Sequence, residues 1–214
     1  MAHTDSITDE LRGDILAGAF PPGERLVELQ LTERYECGRA AVRSALVELT
    51  TEGLVAREAN RGAMVRRISV GEAIQITEAR AVLESLIATH AARHATEAEL
   101  DDMGAIVDDM RAAVAADDSV TYSELNSSLH RLLRQASHHA IAAELVNNLH
   151  NRATNHQYRL ALMPGRPEES LEQHAAIIDA VTSRDEQGAA EAMEKHLLSV
   201  VDVLSRWGDA PGGV

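Results

Sequence analysis

The sequence predicts a mostly α-helical chain in two parts: a small N-terminal domain with a short β-hairpin, then a larger all-helical bundle. Three observations carry that prediction. Apolar residues recur at spacings of three and four over most of the 214 residues, the period of helices buried along one face. Only two segments alternate as strands do, Leu54 to Arg57 and Ala63 to Arg67, and they lie close together. Charge is unevenly shared. Residues 1–67 hold nine arginines against eleven acids, whereas residues 68–214 hold eleven basic and twenty-three acidic residues.

In the first part, a helix from about Ser6 to Ala17 carries the stripe Ile7, Leu11, Ile15 and Leu16. Phe20-Pro21-Pro22-Gly23 ends it, because proline fixes φ and glycine permits positive φ. A second helix, about Val27 to Tyr35, has Leu29 and Leu31 as apolar anchors, and the link Glu36-Cys37-Gly38 leads into a third. The third helix places Val42, Ala45, Leu46 and Leu49 on one side and Arg39 and Arg43, four residues apart, on the other. Taken alone, such a pair reads as two solvated arginines. As the outward face of the second helix in a helix-turn-helix, it reads as a grip on phosphates and guanine edges in a major groove. The third helix runs out near Thr51-Glu52-Gly53, and the two alternating segments then flank the loop Glu58 to Gly62. That loop is a wing. Residues 1–67 are a winged helix-turn-helix.

At this point a family resemblance is visible. Ile15-Leu16-Ala17-Gly18 with Pro22-Gly23-Glu24-Arg25-Leu26, the Leu31-to-Leu46 core, Glu52-Gly53-Leu54-Val55 and Asn60-Arg61-Gly62 resemble the GntR family of bacterial transcription regulators. The resemblance implies that Arg39 and Arg43 reach bases or phosphates and that Arg61 and Gly62 enter the minor groove of double-stranded DNA. The chain departs from the pattern at Gly38, where Ser or Thr is usual, and at Ala40-Ala41, where Thr-Pro is usual.

Composition narrows the function classes. The formal net charge of −14 is wrong for a chain that meets DNA along its whole length, so contact is expected only at the near-neutral head. Aromatics make up 2% of residues, too few for base stacking as a binding mode. The single cysteine, Cys37, suits a reducing cytosol and reads as a small buried hydrophobe. No run of about 18 apolar residues or signal-like apolar core exists, so no membrane partner is expected and the location read is cytoplasmic.

From Ser69 onward there is no convincing strand. Six helices are predicted, about 70–95, 97–116, 119–136, 139–162, 168–183 and 186–206, forming an antiparallel bundle over residues 70–207 with a flexible tail, 208–214. Ten histidines is a high count, and three sit where helices should be apolar. His174 lies in the stripe Leu171, His174, Ile178, Val181, and His196 in the stripe Ala189, Met193, His196, Val200. Both are eleven residues from Asp185 at the last turn, so they stand about 16 Å from it along facing helices. Asn126 and His130 have the i, i+4 spacing with which two side chains hold one ion. No acid shares these stripes. A divalent metal is expected, zinc first, with nickel or manganese as alternatives. His90 and His94 also stand four apart but have no third ligand in view and read as surface histidines; His150 and His156 read as pocket residues without metal.

This second region is similar to the FCD effector domain of the FadR subfamily of GntR regulators. The residues that carry the likeness are Asn126, Leu129 and His130, then Glu172-Gln173-His174, Ile177, Ala180, Asp185, Ala189, Met193 and His196. The six-helix count suits the VanR-like branch. The resemblance implies that Asn126, His130, His174 and His196 bind the metal, with Asn126 at the Asp/Asn position.

The expected function is a DNA-binding transcription regulator, a homodimer placing two recognition helices about 34 Å apart on a near-palindromic operator. A small carboxylate effector would bind the metal and shift operator affinity. Arg80 is a carboxylate clamp for that effector or an i, i+4 partner of Glu84. Two other readings are a regulator whose signal is the metal itself and a zinc-dependent enzyme. Against the enzyme, no acid stands as an obvious general base.

Overall fold

The computed structural model describes the backbone of residues 2–58, 62–161 and 165–208 and the side chains of 7–57, 62–152 and 165–206. The wing residue Arg61, the side chain of His156 and the tail 209–214 lie outside the described residues. The chain divides into two compact units, Met1–Ile68 together with His150–Asn155, and Ser69–Leu149 together with His156–Val214.

The first unit contains α1 (Ala2–Leu16), β1 (Arg25–Leu26), α2 (Glu28–Arg34), α3 (Arg39–Thr51), β2 (Val55–Glu58) and β3 (Gly62–Val65). Its core joins Leu11 and Ile15 of α1 to Leu31 of α2, and to Val42, Leu46 and Leu49 of α3. Leu29, expected as an anchor, is instead 53% exposed. The reason is angular: residues two apart on a helix point to nearly opposite faces, so Leu29 and Leu31 cannot both face the core. Cys37 is half-buried against the same core rather than enclosed.

β2 and β3 pair antiparallel from Val55↔Val65 to Glu58↔Gly62. Gly62 re-enters the hairpin at φ +80°, a left-handed conformation in which a side chain is strained. β1, not anticipated from the sequence, pairs with β3 and gives the order β1-β3-β2. Two residues are too few to display an alternating pattern.

Among the described residues six helices follow: α4 (Val70–His94), α5 (Glu97–Ala115), α6 (Ser119–Ala136), α7 (Ala140–Ala161), α8 (Arg166–Thr182) and α9 (Glu186–Gly208), all in the second unit except the His150–Asn155 stretch of α7. The starts of α4, α5 and α6 are fixed by side-chain caps. Ser69 accepts from the Glu72 N–H, Asp118 from the Thr121 N–H, and Thr96 with Glu99 forms a reciprocal capping box. The links turn tightly through left-handed residues, Asp117, His138 and Arg184. Ile87, Met103, Met110, Leu129, Ile177 and Met193 fill the shared core. No helix among the described residues is long and apolar enough to cross a membrane.

Candidate functional sites

Four helices of the bundle send polar side chains into its interior. α6 supplies Asn126 and His130, α8 supplies Ser170, Gln173 and His174, and α9 supplies His196. α4 adds Arg80, expected as a clamp for the metal-bound effector or a partner of Glu84, and Glu84 itself, which the sequence did not place beside the histidines. His130, His174 and His196 are all buried, and one ligand atom of each lies within 4.8 Å of those of the other two. His174 and His196 face each other across the last hairpin with ring centroids 4.3 Å apart.

The outer nitrogen of each ring is engaged. His130 Nδ1–H donates to Glu84 Oε2 at 3.1 Å. His196 Nδ1–H donates to Gln173 Oε1 at 2.9 Å, and that oxygen also accepts from Ser199 Oγ–H. His174 Nδ1 lies 3.4 Å from Ser170 Oγ. The acceptor oxygens beside His130 and His196 put their protons on Nδ1 and leave their Nε2 lone pairs inward, the tautomer a metal requires, and the Ser170 hydroxyl can accept from His174 in the same way.

His130 Nε2 and His174 Nε2 are 3.1 Å apart. Nitrogens bound to one ion at about 2.0–2.1 Å, at angles between 90° and 110°, stand about 2.9–3.4 Å apart. Two lone pairs this close repel, so either a cation or the Nε2 proton of one ring lies between them. Asn126 Oδ1, one helical turn from His130, is buried with no hydrogen-bond partner. A buried amide oxygen without a donor is costly, and a metal would satisfy it. The residues present fit a divalent ion.

The electrostatics agree. Burial, then the neighbouring imidazoles, push His174 and His196 well below the usual histidine range, so both are neutral donors. Burial opposes the charge of Glu84, but Arg80 and His130 hold its carboxyl well below the usual carboxylate range. Arg80 donates to Glu84 Oε1 from both Nε and Nη2 at 2.8 Å, and both side chains are buried. Of the two roles expected for Arg80, this geometry is the ion pair. The acid missing from the histidine stripes is present after all, on a different helix. Arg134, one turn beyond His130, has a buried Nη1 without a hydrogen-bond partner.

In the head, Arg39 and Arg43 are exposed on α3 while Val42, Ala45, Leu46 and Leu49 are buried. Arg43 Nε donates to Glu28 Oε2 on α2 at 2.9 Å, a partner fifteen residues away that no local pattern reveals. Gly38 is the N-cap of α3 in extended backbone and supplies no side-chain cap. Gly62 opens β3, next to Arg61.

Residues 3–65 match the family described as bacterial regulatory proteins, gntR family, and residues 75–199 match the FCD domain. The chain is 28% identical over 190 residues to the HTH-type transcriptional repressor RspR of Escherichia coli strain K12, covering 89% of this chain and 83% of that protein. It is 29% identical over 211 residues to the transcriptional repressor GlaR of the same strain, covering 92% and 93%. E. coli McbR/YncC shares the fold with a TM-score of 0.82 at 19% identity, over 96% of this chain and 98% of that one. A chain from Rhodococcus sp. RHA1 described as a GntR transcriptional regulator does so at 0.78 and 20% identity, over 99% and 100%.

Proposed function

The chain belongs to the gntR family of bacterial regulatory proteins and carries an FCD domain, and we propose that it is a metal-centred, effector-controlled member of that family. It is a transcription regulator, and the enzyme reading is set aside because the relatives are regulators. Glu84, the acid nearest the histidines, is moreover committed to Arg80 and His130. We assign the chain to the FadR subfamily and its VanR-like branch on the six-helix bundle.

In this reading His130, His174, His196 and Asn126 hold one divalent ion, zinc first. The observation that carries it is the convergence of three buried imidazoles, with each Nδ1 engaged outward. The ion would supply a fixed positive charge that binds an anionic ligand at its open positions. With four neutral donors the ion keeps its whole charge, which favours a small carboxylate effector. Arg134 and Arg166 each have a buried Nη1 without a hydrogen-bond partner, and Arg166 lies close enough to act on both His174 and His196, so these two are the candidates to take a second carboxylate oxygen. Arg80 serves by fixing Glu84, and through it the tautomer of His130.

Operator contact falls to Arg39 and Arg43 from α3, with Arg61 and Gly62 from the wing. A homodimer would present two such helices to successive major grooves, and the protein would work in the cytoplasm. A carboxylate alters DNA affinity only by binding the two states of the dimer unequally.

The test uses an operator fragment selected from genomic DNA by the protein itself. Operator affinity is measured on chelator-stripped protein, after Zn²⁺ is restored, and then with a panel of small hydroxy- and dicarboxylates. The proposal requires an acid that shifts affinity only when Zn²⁺ is present. A shift caused by Zn²⁺ alone would make the metal the signal, and no shift with any arm would contradict the proposal.

A further inference from the structure

We propose that His90, His94 and His139 form a second site for a divalent transition-metal ion, on the surface of the bundle and separate from the buried triad. The inference is independent of the regulatory reading above.

His90 and His94 stand one turn apart at the end of α4, so both rings lie on one helix face. Their centroids are 5.7 Å apart. The link between α6 and α7 brings His139 edge-on against His90, with centroids 4.8 Å apart. Rings bound through nitrogen to one ion at about 2.0–2.1 Å have centroids about 4.5–5.3 Å apart. The first distance is slightly long and the second fits. The nitrogens do not converge as those of the buried triad do, so ligation requires His94, which is exposed, to change rotamer.

The link is held in place to present these rings. His138 has φ +49°, the left-handed conformation that reverses the chain. Ser137 Oγ accepts from the His139 N–H, and His139 Nδ1 accepts from the Ala142 N–H at the start of α7. The four histidines with Ala140 and Ile141 line an open cavity of about 540 Å³, room for an ion with its remaining waters. Glu99, 3.6 Å from His138 Nε2, offsets added positive charge at the rim. Burial and the neighbours His139, Arg93 and His94 keep His90 below the usual imidazole range, so it is a neutral donor.

Imidazole-only ligation favours zinc, nickel or copper over magnesium or calcium. Binding through His139 Nε2 moves its proton to Nδ1, which can then no longer accept from Ala142. The ion and the α7 cap therefore compete, which makes this site the weaker and more exchangeable of the two.

Calorimetric titration of full-length, chelator-stripped protein with Zn²⁺ tests the proposal. Wild type should show two classes of one ion per chain. The weaker class should disappear in the His90→Ala/His94→Ala variant and the tighter class should remain. His139→Asn keeps a side chain able to cap α7 but removes the ring, and it should also abolish the weaker class. A weaker class surviving in His139→Asn would overturn the three-ligand site, and one surviving in His90→Ala/His94→Ala would remove the site altogether. Absence of that class from wild type would do the same.

Discussion

Glu84 Oε2 lies 3.1 Å from His130 Nδ1, joining helices α4 and α6 across 46 residues of sequence. The same carboxylate accepts twice from Arg80, so a buried ion pair orients one ring of the histidine triad. Carboxylates of this kind fix the tautomer of a metal-binding imidazole and raise its basicity.

Glu84→Gln keeps the size of the side chain and removes its charge. Zn²⁺ affinity should fall about 10–100-fold. Arg80 would remain buried and unpaired, so unfolding free energy should drop by about 3–5 kcal/mol. Competition titration and denaturant unfolding measure the two effects. Unchanged metal affinity would make Glu84 structural only.

Arg43→Ala should abolish specific operator binding and leave the fold intact by circular dichroism. A lost bidentate base contact costs about 1–3 kcal/mol per half-site, and a dimer loses two. Fluorescence anisotropy on the selected operator reads this directly. Wild-type affinity would mean that α3 is not the recognition helix.

Thr96→Ala breaks the capping box that starts α5. Stability should fall by about 1 kcal/mol in thermal or chemical unfolding. Val82→Ala, at a position 73% exposed, is the control and should change little.

Sedimentation equilibrium of the full chain at micromolar concentration should return a dimer. Two-fold operators require a two-fold protein. A monomer under these conditions would contradict palindromic recognition.

The bundle helices were legible in the sequence because their apolar period is long and their caps are local; α4 begins and ends within a residue of the expected span. His174 and His196 were legible for a geometric reason, since equal distance from Asp185 puts them at one height. Glu84 was not, because its neighbourhood depends on how α4 docks against α6, and locally it reads as the partner of Arg80. The same holds for His139. Nothing near His90 in sequence announces a third ring, and only the turn through His138 brings one. Leu29 misled because its hydrophobicity was weighed without its helical angle.

The account rests on the buried triad holding a metal. The most direct measurement is elemental analysis of protein dialysed exhaustively against metal-free buffer, comparing the His90→Ala/His94→Ala background with the same background carrying His174→Ala and His196→Ala. The background should retain one divalent ion per chain, and the quadruple variant should retain none. Equal metal in the two would contradict the account and make His130, His174 and His196 a hydrogen-bonded core cluster without an ion.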